Sequence, residues 1–313
     1  MDKLKVGLIG CGFWGKNHAR VYNELENAKL VAVCDIIEER AKNISKKYGC
    51  DWYKDIDEFL EKSDLEAISI CTPTTTHFQV SSKCIKAGKH LLIEKPIGNN
   101  YFEAKNLVEL AKKHKVRIMP GHIERFNPVI QKLKELIKEE KLGKIILMLA
   151  RRLNRWPERI GDIGVVKDSA IHDIDIMRYL LNDEVKEVYA IIGSLIHEFE
   201  DYAEILLRFK NNETGFIDAN WLTPRKTRTL TVIGSEATVA LDYLTQEIVI
   251  ENSEKAIKPN IKWEEPLYNE LKHFVDGIIK NEQFLVTEDD GLKSLEICDS
   301  IILSGKERRI IYL

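Results

Sequence analysis

Two short spacings in this chain could carry proton chemistry on a hydroxyl group. Asp168 and His172 stand four residues apart in a stretch of helical periodicity over 168–181, which sets both side chains on one helix face. A carboxylate beside an imidazole can fix its tautomer and raise its basicity, as a general base acting on a hydroxyl needs. Asp175, further along, could extend that face or serve the packing. Lys95 stands in Glu94-Lys95-Pro96, directly after the apolar run HLLI. A strand-end ammonium can stabilise a developing alkoxide or relay its proton. The residues alone leave the ordinary alternatives open: a helix-surface pair in one case, a solvated Glu–Lys pair in the other.

The elements that must position these residues start at the N-terminus. Gly10, Gly12 and Gly15 spell G-x-G-x-x-G, with Phe13 and Trp14 inside the triplet, after an apolar strand and before a helix. In that context the first two glycines permit a tight turn and close approach to a pyrophosphate, and the third lets helix and strand pack closely. Helix-start N–H groups then face the phosphates. Asp35 ends the second apolar run, 20 residues past Gly15, where its carboxylate can accept from both adenosine ribose hydroxyls. It would repel a 2′-phosphate, and Ile36 and Ile37 provide no arginine to hold one, so the expected cofactor is NAD. Cys71-Thr72-Pro73, with His77 beyond, and Glu94-Lys95 lie at carboxyl ends of later strands, where open α/β sheets bind ligands.

Up to about residue 120, short apolar runs alternate with amphipathic helical stretches, the pattern of parallel strands joined by crossovers. Runs such as LLI fit strands covered on both faces. Beyond residue 122 the strands follow one another through short turns, with one long helix placed early among them, which favours a largely antiparallel sheet. The expected architecture is a Rossmann dinucleotide-binding domain over 1–121 and an α+β substrate and oligomerisation domain over 122–313. Whether the C-terminal helices pack back on the first domain is left open.

Composition excludes some classes. The 313 residues carry 47 basic and 50 acidic side chains, a net charge of −3, giving no bulk attraction to nucleic acid or acidic membranes. No apolar run reaches the roughly 18 residues of a membrane span, and the first residues read as a strand rather than a signal peptide. Six cysteines show no metal-ligand spacing and read as free thiols of a cytoplasmic protein.

Taken in order, G-x-G-x-x-G, T-P-x-x-x-H, E-K-P, D-x-x-x-H-x-x-D and a late V-T-E-D-D-G at 286–291 resemble the Gfo/Idh/MocA oxidoreductases over nearly the whole chain. The resemblance implies that Lys95, Asp168 and His172 form the catalytic set and that Thr72, Pro73 and His77 line the nicotinamide end of the cofactor. It implies a homodimer or homotetramer. The stretches GHIERFNP and RRLNRWPERIGDIGVVKD are similar to the family branch that oxidises the 3-hydroxyl of UDP-N-acetylglucosamine. On that reading His122 and Arg125 face the substrate, and Arg152, Arg155 and Trp156, with Arg151 and Arg159 nearby, grip a diphosphate and stack on a base. The alternatives are a dehydrogenase of a free polyol or inositol, a redox-neutral enzyme retaining NAD, and a non-catalytic NAD-binding regulator.

Overall fold

Strongly apolar segments form a parallel sheet of β1 (Leu4–Ile9), β2 (Ala28–Cys34), β3 (Asp51–Tyr53), β4 (Ala67–Ile70), β5 (His90–Glu94) and β6 (Ile118–Gly121) in the order β3-β2-β1-β4-β5-β6. β4 is buried throughout and β1 and β5 nearly so, as expected of strands covered on both faces. Helices α1 (Phe13–Glu24), α2 (Glu38–Tyr48), α3 (Ile56–Lys62), α4 (His77–Lys86) and α5 (Tyr101–His114) connect them. The Asn100 side chain caps α5 by accepting the Glu103 N–H at 3.0 Å, worth about 1 kcal/mol. This arrangement is that of the computed structural model, which describes residues 3–156 and 161–313. β3 has no sequence signal: it is three residues long, with Asp51 and Trp52 exposed at the sheet edge.

After α6 (Pro128–Lys138), a second sheet contains β7 (Ile145–Arg155), β8 (Val185–Gly193), β9 (Tyr202–Phe209), β10 (Thr214–Asn220), β11 (Leu222–Gly234), β12 (Thr238–Asp242), β13 (Glu247–Glu251), β14 (Ala256–Ile257) and β15 (Ile311–Tyr312). Their order is β14-β13-β12-β11-β7-β10-β9-β8-β15, with β10 parallel to β7 and every other pair antiparallel. The largely antiparallel second sheet is thus as expected. β11 starts earlier than its apolar pattern indicates: Leu222 already pairs with Arg155 of β7, and the register then shifts before Thr227 pairs with Leu153.

The long helix of this half does not begin as an α-helix. Residues Val166–Ala170 form a π-turn, followed by α7 (Ile171–Leu181), which is buried on nearly all sides. π-Turns of this kind occur often at functional sites. Two further helices, α8 (Pro266–Ile279) and α9 (Glu288–Glu307), complete the chain. Two compact units result: Met1–His122 with Leu267–Leu292, and Ile123–Pro266 with Lys293–Leu313. No helix among the described residues is long and apolar enough to cross a membrane.

Candidate active site

Each glycine of the opening triplet has its own reason to lack a side chain. Gly10 has φ +92°, and a Cβ there would lie 2.5 Å from the Cys71 carbonyl oxygen. A Cβ on Gly15 would overlap the Gly10 carbonyl, so helix and strand could not pack. A Cβ on Gly12 would meet no protein atom within 4 Å. Its bareness is therefore not needed by the fold; it leaves room at the start of α1, where a pyrophosphate would approach. The first turn of α1 has no acidic residue and no side-chain cap, so its N–H donors suit an anion. Phe13 is exposed and meets Trp14 edge-on at 5.6 Å.

Asp35 is buried and already engaged. Its Oδ2 accepts the Cys11 N–H at 2.7 Å and its Oδ1 accepts the Ile37 N–H at 2.7 Å. Each carboxylate oxygen retains acceptor capacity for a ribose hydroxyl. The same bonds hold the glycine turn against the end of β2. These residues fit a dinucleotide with an unphosphorylated adenosine ribose.

The two later strand-end motifs are tied together by His77. Its Nδ1 lies 2.7 Å from the Pro96 carbonyl and its Nε2 2.9 Å from the Thr72 carbonyl, and its ring is 1% exposed. His77 was expected to line the nicotinamide end; instead both ring nitrogens face backbone, and it anchors the loops that carry Thr72 and Lys95. Pro73 is exposed and Thr72 half-buried, with Thr76 Oγ1 donating to the Pro73 carbonyl at 2.7 Å. Lys95 is half-buried between buried Glu94 and Pro96, and its bond to Pro96 is cis. Glu94 faces inward, its Oε1 3.1 Å from Nε2 of fully buried His18 on α1. Sequence reasoning missed His18, although it lies one helical turn past Gly15 on the face that α1 must bury. Burial, then the nearby Glu94 charge, pushes the Cys71 thiol well above its usual range, so it stays protonated.

In the second unit, Asp168 sits on the π-turn and His172 near the start of α7; Asp168 is half-buried and His172 buried. The turn is braced from the β8–β9 loop: the Val165 N–H donates to the Glu200 carbonyl at 2.9 Å, and a Cβ on Gly164 would overlap the Glu200 carboxylate. Burial raises the Glu200 carboxyl above its usual range. Lys167 pairs with Asp299 at 2.7 Å. The Ser169 hydroxyl donates to Asp168 Oδ2 at 3.2 Å, and the Trp221 indole N–H donates to Ser169 Oγ at 3.2 Å.

The arginines divide into two kinds. Arg152 is buried, forked onto Asp173 at 2.7 and 3.1 Å, with Glu124 at 3.0 Å. Burial opposes its charge, but Asp173 and Glu124 outweigh burial and raise its pKa. Arg125 is likewise buried and forked onto Asp175 at 2.8 and 2.7 Å, over the Tyr179 ring. Both were expected to hold substrate; their geometry commits them to the interior, and Asp175 is the partner of Arg125 rather than an extension of the Asp168–His172 face. His122 is buried in the first unit. Arg151 and Arg155 are exposed, Arg151 pairing with Asp218 at 3.2 Å. Arg159 lies outside the described residues. Arg228 of β11, which sequence reasoning passed over, reaches Glu124 at 3.4 Å; burial, then Arg152, lowers its pKa, and Asp168 is among the charges acting on it.

Trp156 meets His197 edge-on with centroids 3.7 Å apart, and His197 lies 5.5 Å from Trp221. Among the described residues, the buried Trp156 Nε1 and His197 Nε2 have no hydrogen-bond partner. Trp221 is the single residue between β10 and β11. It sits beside the carboxyl end of β7, where Asn220 pairs with Leu153 and Leu222 with Arg155.

Comparison with known proteins gives a consistent picture. The model of the oxidoreductase family's NAD-binding Rossmann fold (Gfo/Idh/MocA) matches residues 4–122, and the model of the Gfo/Idh/MocA C-terminal domain matches residues 130–240. A myo-inositol 2-dehydrogenase of Thermotoga maritima is 28% identical, covering 99% of this chain and 98% of that protein. A UDP-N-acetylglucosamine 3-dehydrogenase of Acidithiobacillus ferrooxidans is 29% identical over 83% of this chain and 81% of its own. A solved structure of the enzyme of that name from A. ferrooxidans superposes with a TM-score of 0.90 at 25% identity, covering 98% of this chain and 99% of the other.

Proposed function

The chain belongs to the Gfo/Idh/MocA family of NAD-binding sugar and polyol oxidoreductases, and we propose that it oxidises the 3-hydroxyl of UDP-N-acetylglucosamine or a related nucleotide sugar to the ketone. One observation in the second unit favours a nucleotide sugar over a free polyol. At the carboxyl end of β7, exposed Arg155 adjoins Trp156, whose buried indole N–H has no partner among the described residues, and His197 and Trp221 complete the cluster. A guanidinium suits a diphosphate, aromatic faces suit a base, and an unsatisfied buried donor suits a polar ligand.

In this reading His172 takes the proton from the reacting hydroxyl, and Asp168 fixes the imidazole tautomer or holds a substrate hydroxyl. The Lys95 ammonium stabilises the alkoxide as it develops, a type of proton-transfer and charge assistance worth about 10²–10⁴ in rate. Gly10, Gly12, Gly15 and Asp35 hold the cofactor. NAD, when bound, supplies the hydride acceptor. Binding energy from the remote diphosphate would orient the reacting carbon.

A second reading, a free-polyol dehydrogenase, is favoured by the inward commitment of Arg125 and Arg152, which removes two of the cations expected to hold a diphosphate. The deciding experiment follows absorbance of reduced cofactor with NAD and a panel of UDP-sugars, inositols and free sugars, and locates the ketone by NMR. Turnover of UDP-N-acetylglucosamine with a 3-keto product supports the proposal. Turnover confined to inositols or free sugars overturns it.

A further inference from the structure

Asp168 is the end of a short directional hydrogen-bond chain that the proposed reaction does not itself use. The Trp221 indole is 2% exposed, and its Nε1–H donates to Ser169 Oγ at 3.2 Å; the Ser169 hydroxyl lies 3.2 Å from Asp168 Oδ2. An indole N–H can only donate, whereas a hydroxyl can both donate and accept. With Trp221 occupying a lone pair on Ser169, the serine proton is left to point at the carboxylate. A carboxylate that accepts such a bond is favoured in its charged form and held in one orientation.

Trp221 is itself fixed. Its backbone N–H donates to the Asp201 carbonyl at 2.9 Å, its ring lies 5.5 Å from His197, and it joins β10 to β11 with no other residue between them. Ser169 stands next to Asp168 in the π-turn, so the irregular turn brings the serine hydroxyl within reach of the carboxylate.

We infer that Trp221 and Ser169 are positioning residues for Asp168: the indole sets the direction of the serine proton, and the serine keeps the carboxylate ionised and aimed. This rests on the role proposed above for Asp168. Among the charged groups near Asp168 are Arg228 of β11, on which Asp168 acts and which Glu124 engages, Lys167 on the same turn, engaged by Asp299 of α9, and His172, four residues on in α7.

The test uses the full chain with [13Cγ]-aspartate labelling, in which Asp168→Asn identifies the Asp168 resonance. Trp221→Phe and Ser169→Ala should each raise the Asp168 titration midpoint by about half a pH unit or more. With NAD and the best sugar substrate, both should lower kcat by about three- to tenfold and move the acid limb of the kcat profile upward, with KM staying the same in Ser169→Ala, which leaves the aromatic cluster intact. Ser169→Thr, which keeps the hydroxyl, should restore the midpoint and the rate. An Asp168 midpoint unchanged in both Trp221→Phe and Ser169→Ala overturns the inference. Should Trp221→Phe fail to fold, Ser169→Ala, a loss of one oxygen at a half-buried position, decides alone. If the wild type turns over no sugar, the functional reading fails, while the titration still decides the chain.

Discussion

Arg152 and Asp173 close a two-pronged ion pair inside the second unit, Nε to Oδ2 at 2.7 Å and Nη2 to Oδ1 at 3.1 Å. The Tyr243 hydroxyl donates to the same Asp173 at 3.3 Å, and Asn127 ties Glu124 to the Tyr243 carbonyl. Removing one partner leaves a buried charge uncompensated, so Arg152→Ala should cost about 3–5 kcal/mol in stability. Arg155→Ala, at an exposed position, should leave the melting temperature unchanged and raise KM for the nucleotide sugar about tenfold. Thermal unfolding and steady-state kinetics on the two variants separate the roles; a nucleotide-sugar KM unmoved by Arg155→Ala counts against a diphosphate at that position.

His172→Ala and Lys95→Met should each lower kcat by about 10²–10⁴ while NAD still binds. Calorimetric titration with NAD and single-turnover kinetics check both halves. Full activity in either variant removes that residue from the proposed chemistry.

Asp35 joins the Cys11 and Ile37 N–H groups, so its replacement reaches both the ribose and the glycine turn. Asp35→Ser combined with Ile36→Arg should shift preference toward NADP, read as the ratio of kcat/KM values, at the expense of part of the affinity for NAD. An unchanged ratio takes Asp35 out of cofactor discrimination.

Acid should weaken the first unit through two histidines used as acceptors. His90 Nδ1 accepts the Arg117 N–H at 3.0 Å, and His273 Nε2 accepts the Leu285 N–H at 2.8 Å. Burial first, with Arg117 adding to it, lowers the pKa of each. The unfolded chain then binds more protons than the folded one just below the ordinary histidine pKa. The stability they contribute is complete above about pH 6.5 and is lost as pH falls toward their lowered folded values. Denaturant melts from pH 8 to 5 should show that loss. Asn at 90 and Gln at 273, which keep an acceptor but do not titrate, should flatten it.

The parallel sheet was legible because its strands are apolar runs ending at glycine, proline or charged residues, and the glycine triplet names its ligand through context. Short edge strands were not legible in either sheet: β3 of the parallel sheet and β14 and β15 of the second are two or three residues long and mostly exposed. The destinations of Arg125 and Arg152 were not legible, because Asp175 and Asp173 lie 50 and 21 residues away and a local run of arginines reads as a charged loop. Nor could spacing place Trp221 against Ser169, 52 residues apart, or show that Asp168 stands on a π-turn.

The His77 bridge has a consequence for how this scaffold can change. One imidazole holds the Thr72 and Pro96 carbonyls, so the loops after β4 and β5 are not independent variables. Substitutions at 72–76 and at 95–97 should be epistatic, coupling by about 0.5–3 kcal/mol rather than adding. A library that diversifies the two loops together, with His77 held constant, should yield functional combinations that neither loop reaches alone.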